Sequence, residues 1–344
     1  MNHFHVPGLS VTRAEEGALA WTRDFGTLEA GADRPVTGGS IFHACSISKM
    51  ITALTVLRLA QDGVLDLHAN INSLLTSWQM PENEFTAKRP VTLANLLAHQ
   101  AGLRDAEGTF GPVADGEPGP STLDLLTGAT AYNPVPPSPQ YVPETDWEYS
   151  DAGYCVVAQV VQDVTGVSVI DVARRLVLAP LGLSNTFFWA AGDAVPDGID
   201  MAVVAVGHGN HGEIIDQPRA AYPNPEGAGL WSSTPDLARV ALDVIASYRD
   251  GSGVVLSKEM ARFMFTGFGC APDQGMAVFL DSDADGRPFF FSQGWGVGAQ
   301  CKLRGYYTNG SVVVVMTNSE PGMEQDESVV GEVIAAVCAG EPLE

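Results

Sequence analysis

The stretch Phe42-His43-Ala44-Cys45-Ser46-Ile47-Ser48-Lys49 decides how this chain is read. Apolar or small residues follow it at helical spacing, Met50, Leu54, Leu57 and Ala60, until Gly63 breaks the pattern. A helix is therefore expected from Ser46 to Leu65. Three residues apart at its start, Ser46 and Lys49 fall on one face, one turn from each other. A serine hydroxyl is a poor nucleophile until a base takes its proton. A lysine can be that base where burial lowers its pKa. The free N–H groups of a helix start also favour negative charge developing beside the serine. The chain has four lysines, Lys49, Lys88, Lys258 and Lys302, so one at this spacing is informative. Alone, S-x-x-K is short enough to recur by chance, and its surroundings must decide.

Before it, residues 8–13 alternate like a strand, and Ala18 to Phe25 forms a second strand closed by Gly26. After it, Thr92 to Ala98 is a short helix stopped before Gly102. Residues 104–146 carry eight prolines and are expected to be mostly irregular, as a lid or binding loop would be. Helices return at Gly153 to Val164 and Val169 to Leu178, separated by Gly166. Another starts at Thr234-Pro235-Asp236, with Thr234 as N-cap. The period then changes to strands at Met276 to Leu280, Phe289 to Ser292, Ala299 to Tyr307 and Ser311 to Thr317, and Val329 to Cys338 closes as a helix. Strands at both ends with helices between predict an α+β fold. One lobe is formed by residues 1–66 and 242–344. A mostly helical lobe, residues 67–241, contains the Pro-rich loop, and the site lies at the junction.

Eighteen basic against 41 acidic residues leave a net charge of −23. Such a chain repels phosphate backbones and anionic lipid, so nucleic acid and membrane are not expected partners. No secretory leader and no apolar run of roughly 20 residues is visible, which gives a cytoplasmic expectation. Five scattered cysteines with no C-x-x-C pair read as buried reduced thiols rather than a zinc site. No Gly-rich phosphate loop is present, and neither a metal nor an organic cofactor is expected.

Several further motifs resemble the β-lactamase-related serine hydrolases, the group of class C β-lactamases, penicillin-binding proteins and family VIII esterases. Val91 to Leu103 resembles the family segment LLSHTSGL. Trp147-Glu148-Tyr149-Ser150-Asp151-Ala152-Gly153-Tyr154 resembles the motif Tyr-x-Asn followed by x-Gly-Tyr. Pro180-Leu181-Gly182-Leu183 resembles PLGM, and Gly227 to Ala238 resembles GGL-x-S-T-x-D-L-A. These matches occur in family order along nearly the whole chain. The resemblance implies a β-lactamase/transpeptidase-like fold, an antiparallel sheet flanked by helices plus a mostly helical lobe. It implies Ser46 as acylated nucleophile, Lys49 as proton acceptor or relay, and Tyr149 as second base. The backbone N–H groups of Ser46 and Trp295 would form the oxyanion hole.

Two departures from the family pattern carry chemistry. Asp151 stands where the family usually has Asn, so a group that donates and accepts is replaced by one that only accepts. Asp151 can hold Lys49 charged, receive an amine or hydroxyl of the substrate, or cap the following helix. The third motif, normally Lys or His, then Thr or Ser, then Gly, is here Ser292-Gln293-Gly294. The cation that usually attracts a substrate carboxylate is gone, which disfavours anionic substrates. Asp151, Ser292, Gln293, Gly294 and Trp147 are the expected substrate-binding residues, and with Trp295 they suggest a neutral, partly aromatic pocket.

Other features are given structural roles. His208-Gly209-Asn210-His211 reads as a solvated turn, Cys45 as core, and His99 as a hydrogen-bonding residue beneath the site. Asp281 to Gly286 reads as a hairpin turn. The expected activity is cleavage of a small neutral ester or amide through an acyl-enzyme on Ser46. An acyltransferase in a biosynthetic pathway and an inactive binding relative stand as alternatives, and the oligomeric state is left open.

Overall fold

The computed structural model describes residues 1–343; Glu344, the end of the expected 242–344 segment, lies outside the described residues. In chain order the elements are strands β1 (Gly8–Glu15), β2 (Ala18–Gly26) and β3 (Phe42–Cys45), then helices α1 (Ser48–Gln61), α2 (Leu93–Leu97), α3 (Thr122–Thr127), α4 (Asp151–Thr165) and α5 (Val169–Ala173). Strand β4 (Phe187–Phe188), α6 (Pro225–Ala228), β5 (Leu230–Ser232), α7 (Thr234–Asp250) and α8 (Lys258–Met264) follow. Strands β6 (Phe279–Ser282), β7 (Pro288–Gly296), β8 (Ala299–Tyr306) and β9 (Ser311–Thr317) lead to α9 (Val329–Ala339).

The two ends of the chain build one antiparallel sheet in the order β2-β1-β9-β8-β7-β6. Strand β9 sits inside it, and all seven of its residues are buried. Alternation explains this: Val312, Val314 and Met316 face the main core, while Val313 and Val315 face a second core with Val330, Ile334 and Val337 of α9. Burying each such side chain contributes about 1.5–3 kcal/mol. Strand β1 lies beside β9, Val11 opposite Val315, and turns Ser10 and Thr12 to the start of α7. There both hydroxyls meet Thr234 Oγ1 at 2.8 Å. A second, small sheet, β3-β5-β4, carries the chain into α1. Helix α1 is buried along most of its length, Arg58, Ala60 and Gln61 excepted, and runs through the main core, with Ile51, Leu54 and Leu57 fully enclosed.

Several boundaries differ from expectation for identifiable reasons. The N-cap of α7 is Ser233, whose Oγ accepts from Asp236 N, because the Thr234 hydroxyl is engaged by β1. Helix α7 runs through residues 241 and 242 and packs on the sheet. Residues 276–278 are not strand: Ala277, at φ 59°, donates its N–H to Leu97 O across the junction, and β6 begins only at Phe279. His208 is buried, bonded to Asn318 O at 2.8 Å and accepting from Ala30 N, so it is not a solvated turn. Cys45, Cys155 and Cys301 are buried, but Cys270 is exposed. The 104–146 segment is irregular apart from short α3, capped by Ser121. The turn expected over Asp281 to Gly286 falls at residues 283–287, because Asp281 and Ser282 pair with Phe289 and Pro288 as the end of β6. Among the described residues no single helix is long and apolar enough to cross a membrane, and no group of His, Cys, Asp or Glu side chains is placed to hold a metal ion.

Candidate active site

Strand β3 ends at Cys45, held at φ 47°, and the chain bends directly into a tight turn. Ile47 N bonds Ala44 O at 3.1 Å and Lys49 N bonds Ser46 O at 3.0 Å, both i→i+3 contacts. Helix α1 therefore starts at Ser48, two residues later than expected, and Ser46 stands on the turn before it. With three residues per turn, positions i and i+3 eclipse, so Ser46 and Lys49 still share one face. The Lys49 ammonium lies 3.5 Å from Ser46 Oγ. The Ser46 N–H donates to no acceptor among the described residues.

Lys49 is 3% exposed. Its Nζ donates to Asp151 Oδ1 at 2.7 Å and to Gly227 O at 2.9 Å, and lies 4.8 Å from the Tyr149 ring centre. Burial alone pulls the ammonium down, but the Asp151 carboxylate and Tyr149 outweigh it, so Lys49 is held charged well above the lysine range. Burial pushes the Asp151 carboxyl up, and Lys49 more than reverses this, leaving it below its usual value. Of the three roles open to Asp151, the helix cap falls to its neighbour: Ser150 Oγ accepts from Gly153 N, and Asp151 is the first helical residue.

Tyr149 stacks on His99 at 4.4 Å between ring centres. Burial raises its phenol, while the Lys49 charge and contacts with Lys49 and Ser46 oppose the rise without cancelling it. His99 sits in the left-handed region at φ 56°, and its Nδ1 accepts from Ser150 N at 3.2 Å. Burial and the nearby ammonium lower it to about 3, so it stays neutral, which suits a scaffold role rather than a base.

Strand β7 forms the opposite wall. A Cβ at Gly294 would collide with the Ala44 carbonyl and lie 2.7 Å from Cys301 Sγ, so only glycine lets β7 approach the Ser46 turn this closely. Ser292 and Gln293 line the narrow cleft with Ser46, Lys49, His99 and Tyr149, and Gln274, Val278 and Phe279 close it. Ser292 is buried, and the Gln293 Oε1 has no partner. Trp295 lies on the strand beyond, 37% exposed. Trp147 does not line this cleft; it stands behind it, edge-on to Phe279 at 6.3 Å and His99 at 6.1 Å.

Four contributors escaped the sequence reading. Asn224 donates to Asp151 Oδ1 at 2.8 Å, and Asp105 accepts from Ser150 Oγ at 2.8 Å and from the Asp151 and Ala152 N–H groups. Both come from irregular segments that carry no periodic signal. Phe279 was placed within the expected 276–280 strand rather than at the cleft, and Gln274, just before that strand, carried no assignment.

The fold and this cluster define a serine hydrolase. The Beta-lactamase family model matches residues 1–336, and the chain belongs to that family. Penicillin-binding protein 4* of Bacillus subtilis (strain 168) is 25% identical, covering 93% of this chain and 70% of that protein. Esterase EstB of Burkholderia gladioli is 30% identical over 67% of this chain, which spans 64% of the esterase. The D-amino acid amidase from Ochrobactrum anthropi SV3 shares the fold at a TM-score of 0.74, with 21% identity over 97% of this chain and 96% of the amidase.

Proposed function

We propose that the chain cleaves small esters or amides through an acyl-enzyme on Ser46. The observation that carries this reading is the meeting of Ser46, Lys49 and Tyr149 at one point, with Lys49 Nζ 3.5 Å from Ser46 Oγ. Because Asp151 keeps Lys49 an ammonium, the proton acceptor is Tyr149, and Lys49 stabilises the phenolate that must form. Ser46 Oγ gives its proton to Tyr149 and adds to the carbonyl. The Ser46 and Trp295 N–H groups hold the oxyanion, and Tyr149 returns the proton to the departing alcohol or amine. Water, deprotonated by Tyr149, then releases the acid. An inactive binding protein would have no need of this cluster.

The donor carries no negative charge near its carbonyl. Ser292 supplies no cation, and Lys49 is already neutralised. Acyl groups without negative charge form the starting set, in keeping with an esterase among the relatives and an amidase among the proteins of like fold.

Transfer to an amine or alcohol instead of water is a second reading. It is favoured by residues 104–146, whose Val113 N–H donates to Ala221 O at 2.8 Å and so ties the Pro-rich segment to the stretch that carries Asn224. Added amines and alcohols should raise total turnover and appear in the product if it holds.

The test of the main reading is burst kinetics with p-nitrophenyl acetate and labelling by a fluorophosphonate. One equivalent of each is expected on the native protein and none on Ser46→Ala. Labelling that survives in Ser46→Ala would overturn it.

A further inference from the structure

The arrangement above uses only part of Asp151. Its Oδ1 takes both the Lys49 ammonium and the Asn224 amide, at 2.7 and 2.8 Å. Its Oδ2 receives no hydrogen bond from any described residue, and the side chain keeps 24% of its surface exposed. Asp105 stands behind it, its carboxylate taking the Asp151 N–H. The centre therefore holds one ammonium against two carboxylates. His99 is neutral, and no other basic side chain lines the cleft. The strand position from which the family presents a cation is Ser292. Asp151 does not itself line the cleft but sits directly behind Lys49, which does. An ionised carboxylate oxygen left without a donor there can only accept, and a charged donor satisfies it best.

We infer that Asp151 Oδ2 receives an ammonium group on the acyl part of the substrate, one or two bonds from the carbonyl that Ser46 attacks. The substrate class is then esters and amides of amino acids with a free amine. This deepens the proposed function and rests on it. The placement fits: Lys49 Nζ touches Asp151 Oδ1 at 2.7 Å and Ser46 Oγ at 3.5 Å, so the carboxylate stands one side chain away from the nucleophile. The ammonium also restores the charge balance that Lys49 alone leaves short. A hydrogen bond between charged groups of this kind should discriminate by about ten- to a hundredfold.

Glycine anilide and propionanilide test this, because they differ by an ammonium in place of a methyl group. Each is measured as a competitor of p-nitrophenyl acetate hydrolysis at pH 7. Glycine anilide should halve turnover at about ten- to a hundredfold lower concentration. In Asp151→Asn the two should come within about threefold of each other. On the native protein the advantage should fade above about pH 8, where the free amine loses its proton. This arm decides the matter even if the variant does not fold. Equal competition by the two anilides, or an advantage that persists in Asp151→Asn or at pH 9.5, overturns the inference. Complete absence of p-nitrophenyl acetate turnover is a different result: it sinks the Ser46 reading, and the inference falls with it.

Discussion

Lys49 and Asp151 meet at 2.7 Å, so the lysine beside Ser46 is an ammonium whose charge is already matched by a carboxylate. A free lysine base would have to lose this proton against that carboxylate. The arrangement instead suits a lysine that stays charged and a phenol that works.

The pH dependence follows from the sign of that interaction. Asp151 raises the affinity of both Lys49 and Tyr149 for protons. The native enzyme should therefore gain kcat/KM as pH rises through the alkaline range. Asp151→Asn removes a negative charge, so the pair releases its proton at lower pH, and the rising limb should move down by at least about one unit. A limb that stays in place or moves up would contradict the assignment.

Tyr149→Phe removes the proposed base and little else, since the ring remains to stack on His99. Loss of a general base typically costs about 10²–10⁴-fold. That loss in kcat is expected with an unchanged melting temperature. A fall of less than fivefold would assign the proton transfer elsewhere.

Glu226 gives a prediction about stability. It is 3% exposed, its Oε1 has no partner, and burial raises its carboxyl from 4.5 to about 7. A carboxyl raised on folding binds its proton more tightly in the native state, so stability falls as pH rises from the unfolded pKa to the folded one. At roughly 1.4 kcal/mol per unit, the loss between about pH 4.5 and 7 is on the order of 3–4 kcal/mol. Glu226→Gln should match the native protein at pH 5 and melt a few degrees higher at pH 8. Melting curves at the two pH values check this, and a variant that is less stable at pH 8 would refute it.

Gly294→Ala places a methyl group against the Ala44 carbonyl and pushes β7 away from the Ser46 turn. Overpacking of this kind costs about 1–3 kcal/mol. Activity should fall at least tenfold because the Trp295 N–H moves with the strand, and Gly294→Ser should be no better. Full activity in Gly294→Ala would remove β7 from the oxyanion site.

Much of this architecture is legible in the residues. The Ser311 to Thr317 run and the alternation at residues 8–13 are strands because both faces of the sheet are covered by helices. Glycines 26, 63 and 166 end elements because each takes a positive φ. The family motifs bring Ser46, Lys49, Tyr149 and Asp151 into one cluster. What escapes is set by long-range contacts. Thr234 is a good cap in isolation, yet β1 claims its hydroxyl. Asn224 and Asp105 gain their places only when distant loops close on the start of α4. The 276–278 segment looks like a strand but is drawn to Leu97. His208 lies in a Gly-rich stretch and is nevertheless buried against Asn318.

The most direct measurement is peptide mapping of the protein quenched during turnover of p-nitrophenyl acetate. The account predicts a single acetyl group on Ser46, absent in Ser46→Ala and slowed in Tyr149→Phe. Acetyl found only on the exposed thiol of Cys270, or nowhere, would contradict it.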